Sequence, residues 1–537
     1  MRLMERENMF CIHGPPGCGK TYSISQSVQK NVASYGPTKV IVCSLTKTAA
    51  AEAAGRVGLP KGQVGTLHSF AFRALGNPEV AESHIQDWNN SYPAFALASG
   101  DTGTDTNATY DVKVPAGKND EVFAEYTLNR SRMLRRELWN NSVKVFASKW
   151  EEWKRAEGLV DFTDMIEFAA RDIPVAPGMP DVVYMDEAQD SSTLEGSLLK
   201  SWASSTQKTV VVGDPNQSLY TWRGADPEGF FPQDMDKARK FVLSQSYRVP
   251  KAVLEASVRW ISKMKGYAHE VYKPKKDCEG IVKRLPVSMR SPSKLLERVV
   301  QKTEEGKTVM VLASCGFILN PILKLLRDEG VPFHNPYRRR AGNWNPLHAS
   351  RGVPSKDRVL SWLAPREDLL GEEARVWTPD DLKNWASVLA AKGVFRPNGK
   401  KAVASVDEGT DVGLFIRTWF TPESLQRIAE QDFAWWKEHI SSSKKQGLIY
   451  PLHVFSRRGT KALSAEPKII VGTVHSVKGG EADVVFVSPE LSMKGHQEWL
   501  SSDNSSVFRL FYVAMTRAKE ELYLLSSGGG RFHVNWD

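Results

Sequence analysis

Eight residues near the start of the chain, Gly14-Pro15-Pro16-Gly17-Cys18-Gly19-Lys20-Thr21, have the spacing G-x-x-x-x-G-K-[ST], a spacing suited to holding phosphate. Glycines let backbone N–H groups close around an anion, Lys20 reaches the β and γ oxygens, and the Thr21 hydroxyl takes one position on a Mg²⁺ ion. A second cluster, Asp186-Glu187-Ala188-Gln189-Asp190, follows the apolar run Val182–Met185. Carboxylates at a strand end are often just a solvated loop or a helix cap. Beside a phosphate loop they acquire two roles. Asp186 holds the Mg²⁺, directly or through water, and Glu187 orients and deprotonates an attacking water. The chemistry these residues suit together is hydrolysis of a nucleoside triphosphate, with ATP and Mg²⁺ as the expected cofactors.

Such groups need rigid elements to aim them. Residues 9–13 read as a buried strand, and an amphipathic helix runs from about Gly19 to Ala33, so the loop opens a helix whose N-terminus favours anions. Val40–Ser44, Val182–Met185 and Val210–Val212 read as further buried strands of an open parallel sheet. The pattern returns at Val309–Ala313, a helix over Leu319–Asp328, and strands at Ile469–Val471, Val484–Val487 and Leu522–Leu525. The fold class is therefore α/β with two lobes. Two stretches interrupt them: residues 73–159, helical and tryptophan-bearing with a polar loop near 99–120, and residues 341–465, irregular and rich in Trp, Arg and Lys. The expected division is 1–72 with 160–243 for the first lobe, 244–340 with 466–537 for the second, and the two stretches as inserted subdomains.

At 537 residues the chain is too long for one core. Its net charge of +9 fits a polyanionic partner. Cys11, Cys18, Cys43, Cys278 and Cys315 are scattered and form no C-x-x-C pair, so free thiols are expected. No apolar run approaches the roughly 20 residues of a membrane span, and the first ten residues lack a secretory pattern. A cytoplasmic protein, nucleoid-associated or in a host cytoplasm if viral, and without membrane partners, is expected.

The remaining motifs come in a fixed order. After the phosphate loop stand Ser44-Leu45-Thr46-Lys47, Gly65-Thr66-Leu67-His68-Ser69-Phe70 and Asp161-Phe162-Thr163-Asp164. The acidic cluster is followed by Val212-Gly213-Asp214-Pro215-Asn216-Gln217-Ser218-Leu219-Tyr220-Thr221-Trp222-Arg223-Gly224 and by Gln245-Ser246-Tyr247-Arg248. The last two are Gly472-Thr473-Val474-His475-Ser476-Val477-Lys478-Gly479-Gly480-Glu481 and Phe511-Tyr512-Val513-Ala514-Met515-Thr516-Arg517-Ala518-Lys519. In content and order the set resembles superfamily 1 DNA helicases of the UvrD/Rep/PcrA type, in a compact form of a phage or plasmid kind.

That resemblance implies two RecA-like motor lobes and a set of residue roles. Gln217 senses the γ-phosphate, Tyr247 stacks on adenine and Glu481 meets the ribose. Arg248 and Arg517, both expected from the second lobe, stabilise charge at the γ-phosphate, so hydrolysis requires the lobes to close. Thr46, Thr66, His68, Phe70, Tyr220, Trp222, Arg223, Thr473 and His475 line a path for single-stranded DNA, where a ring such as Trp222 stacks on any base. The implied activity is ATP-driven 3′-to-5′ movement on single-stranded DNA with unwinding at a single-strand/duplex junction. A translocase that strips proteins with little unwinding, or a nucleotide-switched DNA-binding protein, are the alternatives. Residues 1–13 contain no glutamine where the family places one against the adenine edge, and Ser246 stands where the family commonly has Asn. The chain also ends soon after Arg517, without the extension of many cellular relatives.

Overall fold

The computed structural model describes residues 3–44, 59–60, 62–98, 117–268, 270–337, 345–348 and 352–536. Packing gathers the chain into two compact units, Met1–Ile281 with Gln497–Glu520, and Val282–His496 with Glu521–Asp537. Among the described residues no helix is long and apolar enough to cross a membrane. The five cysteines are free thiols.

The first unit is built on a six-stranded sheet: β1 (Met9–His13), β2 (Val40–Ser44), β3 (Val64–Gly65), β4 (Val182–Asp186), β5 (Lys208–Gly213) and β6 (Lys240–Val242), in the order β3-β2-β4-β5-β1-β6. All of these pairings are parallel. β2 and β4 are buried along their whole length, as a sheet covered on both faces requires. With β4, β5 and β1 adjacent, three strands deliver their C-terminal ends side by side, and His13 pairs with Gly213 in register. An open parallel sheet places its ligand at this edge.

Between β3 and β4 the chain forms helices Ile85–Ser91, Lys118–Ser131 and Asn141–Glu157. Their core is aromatic: Trp88 meets Phe146, Trp150 and Trp153 with ring centroids 5.7, 5.0 and 5.4 Å away. The helices are tied to the next one, Phe162–Asp172, by buried ions. Lys154 Nζ lies 2.6 Å from Asp161 and pairs with Asp164, and Arg130 Nη2 lies 2.7 Å from Asp164. Burial alone would raise the Asp161 carboxyl, but Arg130 and Lys154 hold it down at about 2. Asp161 and Asp164 also form the capping box of that helix, so this motif acts as a structural joint.

A second, five-stranded sheet is formed by β7 (Ile281–Leu285), β8 (Val309–Ala313), β9 (Ile469–Thr473), β10 (Ala482–Val487) and β11 (Ala518–Leu525), ordered β7-β11-β10-β8-β9. β8 pairs in parallel with both β9 and β10. The stretch 341–465, expected to be irregular, is largely helical where described, with helices at Ser355–Leu363, Pro379–Ala386, Val412–Trp419, Pro422–Ala429, Phe433–Glu438 and Ser442–Ser464. Most are too short to show a 3.6-residue period. Local side-chain caps start them instead, from Thr378, Asp411, Thr421 and Asp432. Its tryptophans are core: Trp362, Trp385 and Trp436 are fully buried against one another.

Residues 244–281 and 497–520 fall within the first compact unit. Ser246 Oγ donates to Pro16 O at 2.8 Å, Asn216 Nδ2 to Ala268 O at 3.2 Å, and Trp260 Nε1 to Phe508 O at 2.9 Å. Such bonds depend on long-range folding and leave no periodicity to read.

Candidate active site

The phosphate loop leaves β1 and enters the helix Lys20–Tyr35. Gly14 N–H donates to Gly213 O at 2.9 Å and Cys18 N–H to Pro15 O at 3.3 Å, which fixes the loop's start. Lys20 Nζ donates to Gly14 O at 3.0 Å, holding the ammonium over the loop. Two glycines are structural necessities. Gly17 has φ +71°, and a Cβ there would lie 2.3 Å from Arg248 Cβ; Gly19 caps the helix at φ +77°.

The Ser246-Tyr247-Arg248 segment docks directly on this loop. Tyr247 N–H donates to Gly17 O at 2.8 Å, and Ser246 Oγ, while donating to Pro16 O, accepts from Val249 N–H at 3.1 Å. The serine, where the family commonly has Asn, thus ties its own segment to the phosphate loop. Tyr247 is 71% exposed, its ring open beside the loop.

The acidic cluster begins where β4 ends. Asp186 is buried, with Oδ1 accepting from Glu187 N–H at 2.9 Å, and Glu187 takes a left-handed backbone (φ 53°) that turns the chain sharply there. From Glu187 a line of hydrogen bonds runs across the sheet edge. Gln189 Nε2 donates to Glu187 Oε2 at 2.7 Å, and Gln189 Oε1 accepts from Asp214 N–H at 3.2 Å. Asp214 Oδ2 accepts from Gln217 Nε2 at 2.8 Å, and Gln217 Oε1 accepts from Arg517 Nη2 at 3.2 Å. Arg517 is buried just beyond the helix Ser505–Met515 and also donates through Nε to Val513 O at 3.0 Å. Burial pushes the Asp214 carboxyl up to about 6 against the opposing pull of Lys20. Gln189 and Asp214 are the links that sequence reading passed over. Gly213 is the one trace of Gln189, since a Cβ there would stand 2.0 Å from Gln189 Oε1.

Among the described residues, no group of three or more His, Cys, Asp or Glu side chains gathers as a metal cage. A hard cation completed by substrate phosphates needs no such cage, and a hydroxyl plus a carboxylate fit Mg²⁺. Thr21 and Asp186 would supply these two groups, and the ion would neutralise phosphate charge.

The residues expected along a DNA path divide by burial. Trp222, on a short 3₁₀ turn, is 45% exposed and helps line a cavity of about 580 Å³ with Arg132, Lys265 and Arg509. Arg132 Nη2 donates to Thr221 O at 3.0 Å, so the inserted helix Lys118–Ser131 braces this turn from just past its C-terminus. Tyr220 is only 5% exposed, with its ring 6.3 Å from that of Trp222 and the Arg223 guanidinium 5.9 Å from its own centroid. Phe70 is 1% exposed and packs edge-on to Trp202. Both rings are buried among protein side chains here. Thr66 is buried and caps the helix Leu67–Ala74 by accepting from Ser69 N–H at 3.1 Å. His68 is partly exposed with Nδ1 3.6 Å from Glu195, and burial lowers its pKa. Thr46 lies outside the described residues.

Thr473, His475 and Glu481 belong to the second unit. Thr473 ends β9, and its Oγ1 accepts from Ser476 N–H at 3.2 Å; His475 opens the following 3₁₀ turn. Glu481 is exposed, and its N–H donates to Tyr337 Oη at 3.4 Å.

Two family models match the chain: the UvrD/REP helicase N-terminal domain over residues 3–238, and the UvrD-like helicase C-terminal domain over residues 468–525. A probable DNA helicase II homolog of Mycoplasma capricolum is 30% identical over 66% of this chain and 56% of its own. Another, from Mycoplasma pneumoniae, is 22% identical over 96% of this chain and 81% of its own. The ATP-dependent DNA helicase UvrD2 of Mycobacterium tuberculosis is 28% identical over 48% of this chain and 41% of its own. The match thus spans little more than half the length of the first of these relatives.

Proposed function

Because the chain belongs to the UvrD/Rep helicase family, we propose that it is an ATP-dependent DNA helicase that hydrolyses ATP with Mg²⁺, moves 3′ to 5′ along single-stranded DNA and unwinds at a single-strand/duplex junction. The observation that carries the reading is the hydrogen-bonded line from Glu187 through Gln189, Asp214 and Gln217 to Arg517. Its first member is the candidate water-activating base, and its last is the candidate finger. Gln217 also opens the loop that ends at Trp222, so one short segment joins the hydrolytic groups to an exposed indole. Backbone recognition and stacking demand no particular sequence, which suits a motor. The relatives named as DNA helicases favour DNA as the track, and the form His475-Ser476-Val477-Lys478-Gly479, which resembles that of UvrD/Rep-type motors, favours 3′-to-5′ direction. We place this activity in a cytoplasm.

Duplexes carrying a 3′ or a 5′ single-stranded tail test direction. Unwinding of the 3′-tailed duplex alone is expected. Unwinding of only the 5′-tailed one would reverse the assignment, and displacement of streptavidin from a tail without strand separation would favour a translocase.

Trp222→Ala should weaken single-strand binding by about 5- to 150-fold at a stated salt concentration, the loss of one stacked base. DNA-independent ATP hydrolysis should persist, while unwinding falls. Thermal melting measured beside affinity separates this from a packing role: a variant that melts much earlier yet binds DNA normally per folded molecule would remove Trp222 from the track.

A further inference from the structure

Trp222 stands on the turn Thr221–Arg223, which is closed by Arg223 N–H donating to Tyr220 O at 2.8 Å and Gly224 N–H to Thr221 O at 3.0 Å. These bonds shape the turn without deciding where it stands. The inserted helix Lys118–Ser131 meets it from outside. Gly224 has φ +93°, and a Cβ there would lie 3.0 Å from Ser131 Cβ and 3.4 Å from Arg132 Cγ, while Arg132 Nη2 donates to Thr221 O at 3.0 Å. The glycine lets the helix end approach the backbone of the turn.

The residue before Ser131 fixes that helix end. Arg130, its side chain 10% exposed, donates through Nη1 to Tyr126 Oη at 2.9 Å and to both Asp161 carboxylate oxygens at 3.2 Å. Its Nη2 donates to Asp164 Oδ1 at 2.7 Å, and its Nε to Glu167 Oε2 at 3.2 Å. The three carboxylates belong to the helix Phe162–Asp172 or its N-cap, so one planar fork ties two helices together.

We propose that Arg130 is a positioning residue for DNA binding: by fastening the end of the inserted helix to Asp161, Asp164 and Glu167, it sets where Ser131 and Arg132 meet the turn and hence where the Trp222 indole stands. This rests on the reading of Trp222 as a stacking residue. Trp222 shares its cavity with Arg132 but not with Arg130, whose fork is occupied by carboxylates. Arg130 therefore acts on the strand through the turn and not by touching phosphate.

Anisotropy of a labelled oligothymidylate titrated with the full chain, over a range of salt concentrations and beside thermal melting, tests this. Arg130→Lys keeps a cation among the buried carboxylates but cannot reproduce the fork. Its affinity per folded molecule should fall by about 5-fold, the low end of a lost stacking contact, while basal ATP hydrolysis persists. Glu167→Gln alters a half-exposed partner at little risk to folding and should weaken binding in the same direction. Adding Trp222→Ala to Arg130→Lys should cost nothing beyond Trp222→Ala alone, because both act on one contact. The slope of affinity against salt should stay that of the parent, since no phosphate contact is lost. Parent-like affinity in both Arg130→Lys and Glu167→Gln would overturn the proposal. So would losses that multiply in the double variant, or a salt slope reduced by about one, the mark of a direct phosphate contact. A Trp222→Ala protein that bound DNA as the parent does would instead sink the stacking reading, and the proposal with it.

Discussion

Arg517→Ala should lower ATP turnover by about 10³- to 10⁵-fold, the contribution of a charge-stabilising arginine in related nucleotide hydrolases, while changing nucleotide affinity little. The reason is geometric and electrostatic. Arg517 is buried, and its guanidinium is aimed by two hydrogen bonds, to Val513 O and to Gln217 Oε1. A cation held in this way acts on charge that develops during bond cleavage more than on the ground state. Arg517→Lys should rescue poorly, because an ammonium cannot keep both bonds in the planar fork that a guanidinium offers. Single-turnover rates beside equilibrium nucleotide binding check the split. A variant that failed to bind nucleotide but turned over normally at saturation would make Arg517 a ground-state anchor.

Glu187→Gln should cost about 10²- to 10⁴-fold in turnover, the usual loss of a positioned general base, with nucleotide and DNA binding retained. The substitution keeps the side chain's shape and one acceptor oxygen for Gln189 Nε2, which now lies 2.7 Å from Oε2. It removes only the basicity. Asp186 would be left to hold the cation, so the two proposed roles separate cleanly in experiment. Hydrolysis by Glu187→Gln near the parent rate would move the base elsewhere, and Asp190, whose Oδ1 already accepts from Leu219 N–H at 3.0 Å, is too committed to replace it readily.

The phosphate loop and the acidic cluster were legible in the sequence because their positions are dictated locally. A strand, a glycine-rich turn and a helix start are encoded within about twenty-five residues, and the strand Val182–Met185 announces where Asp186 must emerge. The aromatic residues were less legible. Trp222 and Tyr220 stand two apart with similar chemistry, and only the fold decides that Trp222 faces a cavity while Tyr220 packs inward. Phe70 sits in the apolar face of an amphipathic helix, a pattern that fits core as well as it fits a base platform. The links Gln189 and Asp214 were hidden for a different reason. The bond between them joins the loops that follow β4 and β5 and spans twenty-five residues, a register no local pattern shows. Edge strands β6 and β7 were missed because they are short or exposed and carry charge, so they lack the apolar signature of the central strands. The helices of 352–464 escaped because their signals lie in caps and buried tryptophans rather than in periodicity.

The central claim is that one protein joins ATP hydrolysis to single-stranded DNA through the segment from Gln217 to Trp222. Steady-state ATP hydrolysis with and without saturating single-stranded DNA tests it most directly. The rate should rise several-fold with the strand, stay low with a blunt duplex, and lose the rise in Trp222→Ala while keeping the basal rate. An unchanged rate in the presence of a strand that demonstrably binds would contradict the coupling.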